Sequence, residues 1–179
     1  MGTRSTRSSR PRVGISACLL GDKVRYDGRD KRDAFLADVL GQQVEWVRVC
    51  PEVEVGMGTP REALNLILEG GRVRMKTTST RLDWTGAMEE WAGRRVDELA
   101  AEDLSGYVLK KDSPSCGPAH VPIYDPNGQR LDDGAGLFAR ALLRRFPTLP
   151  IEDEGRLSRA DIREAFVQRV FEYWRNHDV

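Results

Sequence analysis

The chain has 179 residues, with 28 Lys and Arg against 28 Asp and Glu, so its formal net charge is zero. That length suits one domain with a sizeable core, and the balanced charge excludes the global basic field that advertises nucleic-acid binding. No apolar run approaches the length of a membrane span, and three cysteines without an apolar leader argue against a secreted disulfide framework.

Residues 1–12 are basic and polar, and are expected to form a disordered arm ahead of a domain over residues 13–179. Val13 to Gly21 is a near-continuous apolar and small-residue run, which reads as a strand buried on both faces with Cys18 near its carboxyl end. Asp27-Gly28 is a turn signal, and Ala34 to Leu40 suggests a short helix closed by Gly41. Val44 to Val49 alternates as a second strand and stops at Cys50-Pro51-Glu52. A loop over Val53 to Glu62 precedes two strands, Leu64–Leu68 and Val73–Lys76, which read as a hairpin across Glu69-Gly70-Gly71-Arg72.

Asp83 or Thr85 is placed to cap a helix running to about Leu99, with Met88, Trp91, Val96 and Leu99 on its apolar stripe. Tyr107-Val108-Leu109 is a short buried strand. The segment Lys110 to Pro118 follows, with Cys116 in a loop stiffened by Pro114 and Pro118. Val121 to Tyr124 leads into a turn at Asp125 to Gly128. Leu137 to Phe146 reads as a helix and Leu149 to Ile151 as a short strand. Ser158 and Asp161 have capping-box spacing before a last helix. Strands alternating with helices predict an α/β fold: a single compact domain, mainly parallel sheet, with helices on both faces. Such a sheet presents its strand carboxyl ends along one edge, where ligands bind. Cys18, Cys50 and Cys116 each lie at or after such an end.

Three converging thiolates are soft ligands for zinc, copper(I) or an iron–sulfur cluster. With His120 nearby, a Cys3His zinc site is one reading. A cluster held by three cysteines, with one iron left open, is another. Glu52 stands two residues after Cys50, as a proton donor beside the thiols or as a salt-bridge partner of Arg61. Ser113 and Ser115 are either relay hydroxyls or turn-bracing ones.

The blocks Ser16-Ala17-Cys18-Leu19-Leu20-Gly21, Val24-Arg25-Tyr26-Asp27-Gly28, Cys50-Pro51-Glu52-Val53, Thr59-Pro60-Arg61-Glu62 and Ser113-Pro114-Ser115-Cys116-Gly117 occur in that order. Together they resemble the DUF523 family, which includes bacterial 2-thiouracil desulfurases. The match runs from about Val13 to Leu149. The resemblance implies a 4Fe–4S cluster on Cys18, Cys50 and Cys116 with one open iron. It further implies Glu52 and Ser113 as catalytic residues, and contacts to a thiopyrimidine substrate from Ser16, Asp27, Arg61 and Ser115. The implied reaction is a non-redox desulfuration in which oxygen replaces sulfur and sulfide is released. Residues 150–157 and the following helix resemble longer variants in which a DUF1722 domain comes next.

Two rival activities stay open at this level: sulfur transfer to a nucleotide or tRNA, and a non-catalytic cluster-binding module. The expected setting is cytoplasmic, with no membrane contact and no evident nucleic-acid surface; the sequence is silent on oligomeric state.

Overall fold

A computed structural model of the chain describes residues 8–177. The polypeptide builds two four-stranded sheets. The first takes β1 (Arg12–Ser16), β2 (Glu45–Val49), β5 (Leu104–Leu109) and β8 (Ile151–Asp153) in the order β2-β1-β5-β8, with every pair parallel. The second takes β3 (Leu64–Glu69), β4 (Arg72–Thr77), β6 (Val121–Tyr124) and β7 (Arg130–Gly134) in the order β4-β3-β6-β7. There β3 and β6 run parallel, while the two outer pairs are antiparallel hairpins.

The alternation of side chains along the parallel strands divides the core in two. Val13, Ile15 and Val108 face one way and pack with Leu36, Leu40, Phe166 and Val170. The last two belong to α4 (Ala160–Asn176). Tyr107 and Leu109 face the other way, into a larger cluster with residues of α2 (Thr85–Ala100), α3 (Leu137–Arg145) and the second sheet. Helices therefore cover both faces of the parallel sheet, as the strand–helix alternation predicts.

Close packing at β1 depends on Gly14. A β-carbon there would stand 2.1 Å from Cδ2 of the fully buried Tyr107 ring. Gly14→Ala is expected to cost about 1–3 kcal/mol, the usual penalty for overfilling a packed core. A lowered urea midpoint with an unchanged slope checks it.

Several local expectations are revised. The segment at Ala34 to Leu40 is a π-type turn over Phe35–Val39 followed by a 3-10 turn over Leu40–Gln42, not a regular α-helix. The expected loop at Val53 begins inside a single helical turn, α1 (Pro51–Glu54). Thr85 opens α2 without capping it. Its hydroxyl oxygen instead accepts the Met75 N–H at 2.9 Å, tying the helix to β4, while Asp83 accepts the Thr85 N–H. The capping box at Ser158 does not form, because a 3-10 turn over Arg156–Ser158 comes first and the Ser158 hydroxyl donates to the Gly155 carbonyl at 2.6 Å. β7, polar and exposed, carries no apolar pattern to announce it.

The expected arm lies mostly outside the described residues, but its last residue belongs to the domain. Arg12 opens β1, donates to the Glu102 carbonyl at 2.8 Å and pairs with the Glu102 carboxylate. No helix among the described residues is long and apolar enough to cross a membrane.

Candidate active site

The carboxyl ends of β1, β2 and β5 open on one cavity of about 430 Å³. Cys18 arrives two residues after β1, in a 3-10 turn over Ala17–Leu20. Cys50 follows β2 directly and opens α1. Cys116 sits in the loop beyond β5, which is fixed onto the start of α3. Leu137 and Ala139, whose N–H groups have no partner within the helix, donate to the Pro114 and Ser115 carbonyls at 3.1 and 3.0 Å. Gly117 leaves no room for a side chain, since a β-carbon would stand 2.3 Å from Val121 and 2.8 Å from the Ser113 carbonyl.

All three thiols line the cavity and none is in a disulfide. Burial pushes the Cys18 thiol up to about 11. The Lys110 ammonium opposes that rise more than any other charge, and Arg25 opposes it less. Burial likewise raises Cys50 and, most of all, Cys116, against a hydrogen bond from the Ser16 side chain that favours the Cys116 thiolate.

A polar chain runs beside the thiols. Arg61 Nε and Nη2 donate to Glu52 Oε2 at 2.8 and 2.5 Å, and the Ser115 hydroxyl donates to Glu52 Oε1 at 2.8 Å. The Arg61 and Glu52 side chains are only 5% and 14% exposed. Each carboxylate oxygen thus accepts a charge-assisted hydrogen bond, and Oε2 accepts two. The salt bridge to Arg61 is realised, and both Glu52 oxygens accept hydrogen bonds at the thiol cavity.

Ser113 Oγ stands 3.1 Å from Ser115 Oγ and accepts the N–H groups of Ser115 and Cys116 at 3.3 and 3.0 Å. With the Ser115 proton given to Glu52, the Ser113 proton goes to Ser115. Both acceptor sites and the one donor of Ser113 are then used. Ser113 braces the turn that carries Cys116, and Ser115 is the hydroxyl in contact with the carboxylate.

Ser16 also lines the cavity, accepting the Lys110 N–H at 2.9 Å. Asp27 lies outside the lining. It accepts from Arg29 at 2.8 Å and stands 3.6 Å from Arg25, which does line the cavity. His120 is 87% exposed, beside Asp133 and outside the thiol cavity, so it adds no fourth ligand to a zinc site. Among the described residues, no three His, Cys, Asp or Glu side chains close on the position of a single ion. Three thiols lining one cavity are the soft donors that an iron–sulfur cluster takes.

Lys110 and Glu154 escaped the sequence reading. Their ion pair stands at the same sheet edge. The signal available was their position, each immediately following a strand end.

A parallel sheet that gathers three thiols and a serine–carboxylate–arginine chain at its carboxyl edge defines the molecule as an α/β enzyme. The chain belongs to the 2-thiouracil desulfurase family, whose model matches residues 13–154. Among solved structures it is similar to the [4Fe-4S]-dependent thiouracil desulfidase TudS (DUF523Vcz). Identity is 31% and the TM-score 0.65, over 89% of this chain and 99% of that one. Among curated proteins it is similar to the uncharacterized protein YbbK of Bacillus subtilis (strain 168), at 28% identity over 137 residues, 73% of this chain and 88% of that protein.

Proposed function

We infer that the protein removes sulfur from a thiolated pyrimidine of the 2-thiouracil kind at a 4Fe–4S cluster held by Cys18, Cys50 and Cys116. The balance is a hydrolysis: the thiocarbonyl and one water give the carbonyl and hydrogen sulfide. What supports this reading is that three thiols and the Ser115–Glu52–Arg61 chain line one cavity. When bound, a cluster with one open iron supplies the Lewis acid for the thiocarbonyl sulfur.

The chain's own residues supply the proton handling. Glu52 takes a proton from the attacking water. Arg61 fixes the carboxylate from behind, and its Nη1 is itself held by the Gly58 carbonyl at 2.8 Å. The Ser115 hydroxyl orients Glu52 Oε1, and the Ser113 hydroxyl, donating to Ser115, holds it in that direction. Ser16, Arg61 and Ser115 stand where they can contact the substrate ring. Asp27 contributes by holding Arg25 at the cavity wall.

Anaerobic incubation of the reconstituted protein with 2-thiouracil, assayed for sulfide and uracil, tests the reading. Release of both without ATP or a reductant is the expected result; a loaded protein that releases neither overturns it. A requirement for ATP and an acceptor nucleotide would mark sulfur transfer.

The two serines are separable. Ser115→Ala should leave the cluster intact and lower kcat roughly 10- to 100-fold. That is the worth of about 1.5–3 kcal/mol for a hydrogen bond to a charged group. Ser113→Ala should instead loosen the Cys116 turn and lower the iron content. Matched iron and turnover measurements on the two variants check the division.

A further inference from the structure

Four strands lie side by side in the parallel sheet, and their carboxyl ends deliver a row of residues. β2 brings Cys50, β1 brings Ser16 and Cys18, β5 brings Lys110, and β8 brings Glu154. Lys110 Nζ donates to Glu154 Oε1 at 2.5 Å and to the Lys111 carbonyl at 3.0 Å. The other carboxylate oxygen accepts the Lys111 N–H at 2.8 Å. The Lys110 backbone is pinned as well, by its N–H to Ser16 Oγ. The Lys110 and Glu154 side chains are 17% and 13% exposed, so a charged pair has been taken largely out of water. The desolvation this costs is substantial, and breaking even requires good geometry.

The pair is asymmetric. Lys110 lines the cavity that all three thiols line, and Glu154 does not. The other cations of the cavity are placed differently. Arg61 is bound by Glu52, which faces the same space. Lys111 is half exposed beside Asp112, and Lys31 is exposed. Arg25 is paired with Asp27 at 3.6 Å. Three thiolates in a poorly hydrated site bring like charges together, and in low dielectric a fixed cation beside them counts for much more than in water.

We propose that Lys110 is the positioning cation of the thiol site, locked by Glu154 so that its ammonium balances the negative charge of the cluster-bearing thiolates. This rests on the cluster reading above. The plain alternative is a strap that only joins β5 to β8, and the two part company in the cluster's reduction potential. That potential responds to net charge and nearby dipoles, but not to a strap at the sheet edge.

The experiment compares reconstituted wild-type protein with Lys110→Met, Lys110→Arg and Glu154→Gln. It measures iron and sulfide per chain, the rate of iron loss to a chelator, and the midpoint potential. Lys110→Met should have a more negative potential and lose iron faster. Lys110→Arg should restore both toward wild type. Glu154→Gln, whose amide oxygen still accepts from the Lys110 ammonium while the opposing charge is gone, should move the potential the other way. Coincident potentials in wild type and Lys110→Met, or a Glu154→Gln shift in the same direction as Lys110→Met, would overturn the proposal. If Lys110→Met does not load, the Lys110→Arg and Glu154→Gln potentials decide by the same criterion. Wild-type protein that takes up no iron and sulfide would instead remove the cluster reading itself.

Discussion

Replacing any one of Cys18, Cys50 or Cys116 by serine is expected to empty the site. Iron and sulfide should fall to background and the visible absorbance of the cluster should vanish. Cubane clusters are usually held by four thiolates, and three leave no redundancy. Serine keeps the size of the side chain but offers a hard oxygen that a soft site rejects. The apo-fold should survive, because at Cys116 a hydroxyl finds the Ser16 side chain, which already hydrogen-bonds to the thiol. Far-UV circular dichroism of each variant should match the wild-type apo-protein. A serine variant with a full complement of iron and sulfide would exclude that cysteine as a ligand.

The same thiols carry a pH signature. Loading must expel their protons, and burial holds those protons tightly, so reconstitution should weaken as pH falls. The apo-protein responds in the opposite direction. Its Cys18 thiol is raised from the ordinary 9.0 to about 11. Below pH 9 both folded and unfolded chains keep that proton, and the thiol costs nothing. As pH rises from 9 toward 11 the unfolded chain releases a proton that the folded one retains, and apo-protein stability drops across that window. Cys18→Ser should flatten the drop. Urea midpoints at a series of pH values measure both slopes.

The placement of the thiols was legible because it follows from a topological rule. Val13 to Gly21 reads as a buried strand and Val44 to Val49 as an alternating one; β1 stops at Ser16, short of that run, but parallel strands still end at one edge. Much of what lies beside the thiols was not legible, because it depends on strand order. Nothing local in Ile151–Asp153 says that this strand lies next to β5, so the strand-end positions of Lys110 and Glu154, 44 residues apart, do not by themselves show that the two meet. The parallel pairing of β3 with β6, which joins two hairpins into the second sheet, is invisible for the same reason. The roles of the serines were hidden at a finer level. Ser113 and Ser115 are the same chemical group two residues apart, and only the hydrogen-bond inventory separates the turn brace from the residue on the carboxylate. The helix starts at Thr85 and Ala160 were missed by one residue or capped differently, since Thr85 and Ser158 found tertiary and turn partners instead.

Glu52→Gln should leave the cluster in place and lower turnover by on the order of 100- to 10,000-fold, the usual contribution of a positioned acid or base. The amide has the shape of the carboxylate but half its acceptors. Its oxygen can keep either the Arg61 pair or the Ser115 hydroxyl, and its NH2 would then face a donor at the other end. Because Glu52 is two residues from Cys50 and opens onto the same cavity, the discriminating measurement is iron content beside kcat. Full iron with a collapsed kcat assigns Glu52 to proton transfer. Lost iron would mean that the Glu52–Arg61 pair holds the Cys50 turn, and near-normal turnover would move the base elsewhere. Arg61→Met provides the counterpart. It leaves Glu52 charged without its two guanidinium donors, so it should destabilise the fold by about 3–5 kcal/mol, whereas Glu52→Gln keeps an oxygen for the guanidinium and should cost less. A larger stability loss in Glu52→Gln than in Arg61→Met would contradict the reading of Arg61 as the support and Glu52 as the working group.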